Sequence, residues 1–177
     1  GVGTARRSGC GGTYDFDKGI IFGGWVSAAV GMSNLVSNVG VVATDVSAVG
    51  TATSGAGALE YGGDKVIIAF GYTTGNVNTI KLVNNSGVIA SDSTGTGTAR
   101  DTMGSTGYGA DLGIFAYGTS EDKSNLVSNT GVVSADVTIA GTARSPGGAA
   151  RYSTNTAIIF GGNTGGGYES FAGKSGS

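Results

Sequence analysis

Lys18-Gly19-Ile20-Ile21-Phe22-Gly23-Gly24 decides the fold, because the chain returns to it three times. It comes back as Lys65-Val66-Ile67-Ile68-Ala69-Phe70-Gly71, as Leu112-Gly113-Ile114-Phe115-Ala116-Tyr117-Gly118, and as Thr156-Ala157-Ile158-Ile159-Phe160-Gly161-Gly162. The starts lie 47, 47 and 44 residues apart, and a fixed period in that range marks a repeat architecture. An apolar run without polar alternation reads as a strand covered on both faces. The glycines that close it allow a sharp bend or a close approach of backbone to backbone.

Working outward, each copy is preceded by Gly3-Thr4-Ala5-Arg6 or its counterparts Gly50-Thr51-Ala52-Thr53, Gly97-Thr98-Ala99-Arg100 and Gly141-Thr142-Ala143-Arg144. A small-residue segment then leads to Tyr14, Tyr61, Tyr108 or Tyr152 and a polar pair such as Asp17-Lys18 or Asp64-Lys65, the pattern of a strand and a tight turn. After the apolar strand comes a loop that differs in every copy: Trp25 to Gly31, Tyr72 to Asn78, Thr119 to Asp122, Asn163 to Gly166. Next come Ser33 to Asn38, repeated identically as Ser124 to Asn129, and Gly40-Val41-Val42-Ala43-Thr44-Asp45 with its counterparts ending at Asp92 and Asp136. These two segments carry the β-rich content and turn residues of a hairpin.

Each repeat therefore predicts four strands and no helix. Four-stranded units of this length with a doubly buried core strand match a β-propeller blade, whereas solenoid coils are usually shorter. The expectation is one all-β domain over 1–177, a β-propeller of about four blades at approximately 3–49, 50–96, 97–140 and 141–177. The last blade is incomplete: Tyr168 to Gly173 supplies a third strand and Ser175-Gly176-Ser177 cannot supply a fourth. Three arrangements stay open: a closed ring of four, a section of a larger ring, and closure through a neighbouring copy.

Composition limits the function. The 177 residues hold 36 glycines, one proline, one cysteine and no histidine, with 12% charged residues and a net charge of −2. Glycine and proline together stay below the share that marks disorder, so the glycines read as turn residues in a surface of Ser, Thr, Asn and Gly. No basic footprint is present for nucleic acid or an anionic membrane. Without histidine or a second cysteine, the usual zinc sets and an intramolecular disulfide cannot form. No apolar run reaches the length of a membrane span and no signal peptide precedes the repeats, so the chain reads as a mature or excised fragment, or as one exported by another route.

The order Arg6, Gly11-Gly12, Lys18 to Gly24 and Asp45 resembles the kelch repeat. The departures are Thr53 in place of Arg, Ala69-Phe70-Gly71 in place of Phe-Gly-Gly, and the lack of an aromatic in the outer hairpin, which make the form a divergent one. The phrases Ser-Asn-Leu-Val-Ser-Asn-Thr-Gly-Val-Val and Gly-Thr-Ala-Arg are similar to repeats in kelch-like proteins of bacteriophage virions and tail fibres. That resemblance implies a virion or extracellular location and a structural or adhesion role.

No catalytic constellation appears, and none of the short motifs carries chemistry. Gly173-Lys174-Ser175 lacks the first glycine and the helix of a phosphate loop. Asp15-Phe16-Asp17 lacks the glycine placement and closing carboxylate of a calcium loop. Asn84-Asn85-Ser86 is a glycosylation sequon by pattern alone. Cys10 has no histidine to activate it. The recurring Arg6, Arg100 and Arg144 read as guanidinium groups satisfying backbone carbonyls between blades, and the recurring Asp45, Asp92 and Asp136 as turn chemistry.

The ligand-binding candidates are Trp25, Tyr72, Tyr117 and Tyr168, aromatics at or near the ends of core strands that are able to stack on sugars. The expectation is a non-enzymatic structural or adhesion propeller without cofactor or metal. Its partners would be proteins, a cell-surface glycan, or copies of itself joined through the open edge of the incomplete blade. The alternatives are a carbohydrate-binding propeller and, further off, a propeller lyase or glycosidase, which needs converging carboxylates.

Overall fold

The structure, a computed structural model, describes residues 2–47, 49–164 and the strand Ala172–Ser175. Fourteen strands and, among the described residues, no helix make up four antiparallel sheets. The first sheet holds β1 (Cys10–Tyr14), β2 (Lys18–Phe22) and β3 (Ser33–Val36). The second holds β4 (Gly57–Tyr61), β5 (Lys65–Ala69), β6 (Thr79–Val83) and β7 (Ser93–Thr94). The third is β8 (Gly104–Tyr108), β9 (Leu112–Ala116), β10 (Lys123–Val127) and β11 (Val137–Thr138), and the fourth β12 (Gly148–Ser153), β13 (Thr156–Phe160) and β14 (Ala172–Ser175). Each sheet is a meander in chain order, so one repeat makes one sheet.

The first hairpin turns through left-handed backbone, Gly62 and Gly63 in the second repeat and Asp15 and Phe16 in the first, at φ 48° and 64°. Such turns match the twist of the strands they join.

The apolar strands β2, β5, β9 and β13 each have a forward and a rear face. Ile20 and Phe22 point forward onto Val66 and Ile68 of the second sheet, and Ile67 and Ala69 point forward onto Phe115 of the third. Ile114 and Ala116 in turn pack against Ile159 of the fourth. The first strands stack in the same sequence, β1 on β4, β4 on β8 and β8 on β12. Gly113 shows how closely the sheets approach: a Cβ there would stand 2.2 Å from Leu59 Cδ1.

The core strands of the two middle sheets are covered on both faces as the sequence predicts. In the outer two sheets only one face is covered: Ile21 is 39% exposed behind β2, and Phe160 is 43% exposed in front of β13. No comparable strand packing joins β1 to β12 among the described residues, so the row of sheets is open at both ends.

The fourth strand also differs from expectation. Val42, Ile89 and Val133 make only single bridges back to Val36, Val83 and Val127. The outer pairing comes later, at β7, at β11 and, in the first repeat, at a lone bridge between Ser33 and Val46. The reason lies in the aspartates between, which turn toward the start of their own repeat. In the fourth sheet the third strand is Ala172–Ser175, which shares Ala172 and Gly173 with the expected Tyr168 to Gly173; the rest of that segment lies outside the described residues.

Candidate functional site

The repeated polar residues form a clamp inside each of the first three repeats. Asp136 accepts from Thr98 N at 3.0 Å, from Thr98 Oγ1 and from Asn125 Nδ2 at 2.9 Å, tying the end of the repeat to its beginning. Asp45 does the same with Thr4 and Asn34, and the Thr4 hydroxyl, followed by the Asn34 amide, lowers its pKa to about 2. These aspartates thus hold long-range contacts beyond the local turn chemistry expected of them.

Arg100 sits fully buried beside this clamp, donating to Tyr117 O at 2.7 Å, Thr98 O at 3.1 Å and Asn125 Oδ1 at 2.5 Å. Its carbonyl partners belong to its own repeat. What reaches the neighbouring sheet is the charge, which lies 4.2 Å from the ring centre of Phe70, as Arg144 lies 4.0 Å from that of Tyr117. A desolvated cation against an aromatic face is worth about 2 kcal/mol.

The second repeat lacks the arginine, having Thr53, and the cation moves across the sheet. Lys81 stands where the other repeats have Asn34 and Asn125; its Nζ pairs with Asp92 at 3.0 Å and lies 5.4 Å from the Phe22 ring centre. The signal in the sequence is a pair of departures from the repeat, Arg to Thr at Thr53 and Asn to Lys at Lys81, which only the structure shows to be coupled.

Of the four aromatic candidates, the structure brings two together. Trp25 and Tyr72 are half-buried on adjacent sheets with ring centres 6.3 Å apart at 49°. Each is fixed by reciprocal backbone bonds to its own incoming segment, Trp25 with Arg7 and Tyr72 with Ser54. Tyr117 is elsewhere. It aligns with Phe70, two residues before the Trp25 position, has φ 59°, and is 5% exposed under the Arg144 guanidinium, with its hydroxyl donating to Ala140 O at 3.0 Å. Tyr117 is therefore part of a sheet junction and is not presented to a ligand. Tyr168 lies outside the described residues.

A cleft of about 250 Å³ runs along the first strands of all four sheets, and Glu60, Asp111 and Arg151 line it. Burial raises the Glu60 pKa, and the Arg151 charge opposes that shift. Arg151 Nη1 donates to Gly109 O at 3.1 Å, while Asp111 accepts from Asn129 Nδ2 at 3.0 Å. The cleft offers a carboxyl group and backbone groups for hydrogen bonding. Sequence reading missed it: Glu60 and Arg151 each stand one residue before the tyrosine of their repeat and Asp111 closes the turn of the third, and only the stacking of sheets brings these positions together.

The remaining motif residues are engaged locally. Asp15 pairs with Lys18 Nζ at 2.5 Å and Asp17 accepts from Asn38 Nδ2 at 3.0 Å. Burial pushes the Cys10 thiol up to about 12, so it stays protonated at neutral pH. Among the described residues, no helix is long and apolar enough to cross a membrane. No family model matches the chain, and no curated protein matches it.

Proposed function

We propose that the protein is a non-enzymatic structural or adhesion module, a kelch-like propeller section of a virus particle or its fibres, that presents variable loops on a rigid row of blades. The observation that carries this reading is the use of the repeated charges. Arg6, Lys81 and Arg100 are each paired with the aspartate of their own repeat, at 3.5, 3.0 and 3.8 Å. They hold repeats together and do not converge on the cleft. The loops that vary between copies stand beyond this framework, with Val26 50% exposed next to Trp25.

The Trp25–Tyr72 pair, beside Thr73, Thr74 and Asn76, favours carbohydrate as the second reading, because tilted aromatics with adjacent hydrogen-bonding groups suit a sugar face. A glycan array and a whole-cell binding assay test both readings, with Trp25→Ala/Tyr72→Ala as the comparison and circular dichroism as the folding control. Loss of at least about tenfold in binding is expected, in keeping with removal of two stacking aromatics. Cleavage of a polysaccharide by the unaltered protein would overturn the non-enzymatic reading.

A further inference from the structure

The two open ends of the row are the two halves of a junction that the chain already makes internally. Three features recur at these junctions. Tyr14 and Tyr61, at the ends of β1 and β4, seat against Gly87 and Gly131 of the next repeat, where a Cβ would stand 3.0 Å from the ring. Phe22, Phe70 and Tyr117 face the cation of the following repeat, Lys81, Arg100 and Arg144. The amides of Gly24, Gly71 and Gly118 donate to the carbonyls of Thr53, Arg100 and Arg144 at 2.9, 2.8 and 3.0 Å.

At the forward end the donors of this junction stand uncovered. Tyr152 is 59% exposed where Tyr14 and Tyr61 are each 4% exposed, Phe160 is 43% exposed where Phe22 is 0%, and among the described residues the Gly162 amide meets no carbonyl such as those that Gly24, Gly71 and Gly118 meet. At the rear end the acceptors stand empty. Nothing lies within 4 Å of a Cβ placed on Gly40, the counterpart of Gly87 and Gly131. Among the described residues no ring faces Arg6, and Arg6, Ile21 and Val42 line an open hollow of about 480 Å³. Ile21 is 39% exposed where Ile68, Phe115 and Ile159 are at most 2% exposed.

We propose that copies of this chain associate head to tail, with the forward face of the fourth sheet of one copy on the rear face of the first sheet of the next. Tyr152 seats on Gly40 of the next copy, Phe160 takes the place that Phe22 has against Lys81, over the equivalent Asn34 of the next copy, and the Gly162 amide donates to its Arg6 carbonyl. The contact is heterologous, so it builds a ring if the rotation closes and a filament if it does not. It rests on the packing of the repeats and is independent of the proposed function.

Sedimentation velocity and light scattering on three proteins test this: the unaltered chain, Ile21→Glu at the rear face and Tyr152→Glu at the forward face. Both positions are exposed in the single copy, and thermal melts verify that each variant folds. The unaltered chain is expected to exceed its 17.2 kDa monomer mass as concentration rises. Each variant alone is expected to associate at least about a hundredfold more weakly, since a buried unpaired carboxylate opposes the contact.

The mixture is the decisive arm, because Ile21→Glu keeps an intact forward face and Tyr152→Glu an intact rear face. Their mixture is expected to give a 1:1 dimer that grows no further. A chain that stays monomeric at every concentration overturns the proposal. So does association that survives both substitutions, as pairing through a sheet edge would, and so does a mixture that forms no dimer.

Discussion

Arg100 shows how a single residue joins two scales of organisation. It is buried where the preceding repeat lies over it, and that burial is tolerable because its donors meet carbonyls, Asn125 and an aspartate while its charge meets a ring. Phe70 and Tyr117 adopt left-handed backbone, at φ 62° and 59°, to place those rings, where Gly23 and Gly161 occupy the same conformation without strain. Arg100→Thr is expected to cost about 3–5 kcal/mol in denaturant unfolding, since it leaves Asp136 and Asn125 without their buried cation. Adding Asn125→Lys copies the arrangement of the second repeat and is expected to recover at least half of that loss. A double variant no more stable than Arg100→Thr alone would show that Lys81 is not the functional substitute for the arginine.

Between elements, the same repeat position meets different surroundings according to which sheet it belongs to. Gly113 on β9 faces Leu59 of the second sheet, and a Cβ there would overlap that side chain. Gly19, its counterpart on β2, faces the uncovered rear side, where a Cβ would meet Val36 at 3.5 Å and the Gly12 carbonyl at 3.7 Å, both of the same sheet and at ordinary contact distance. Gly113→Ala is therefore expected to destabilise by about 1–3 kcal/mol through overpacking, and Gly19→Ala to stay within about 0.5 kcal/mol of the unaltered protein. Thermal or denaturant melts of the two variants check this; equal effects would contradict the order in which the sheets stack.

Across the whole molecule, stability follows position in the row. A sheet held on both sides opens only when two junctions break, and an end sheet opens when one does, as in other quasi-linear repeat proteins. Amide exchange is expected to be slowest in β5, where Val66, Ile67, Ile68 and Ala69 are all buried, and faster by at least about tenfold in β12, most of whose residues are exposed. Peptide-resolved hydrogen–deuterium exchange on the monomer measures it. Uniform protection from β1 to β13 would indicate a closed structure in which no sheet is terminal.

The sequence by itself determined the repeat, its frame and its strands, because each of these depends on local signals: the unalternating apolar run, the glycines that close it, and the polar turn before Lys18 or Lys65. The structural use of the arginines was legible only in part: Arg100 does meet backbone carbonyls, but those of its own repeat, and what crosses to the neighbouring sheet is its charge. Tertiary structure decided the rest. Whether Tyr117 faces solvent or a guanidinium, whether Gly113 or Gly19 is crowded, and which three residues line the inner cleft all depend on contacts between sheets that no single repeat encodes. The open row has the same origin: β1 and β12 carry the same pattern as the strands between them, and only the packing of whole sheets leaves one face of each uncovered.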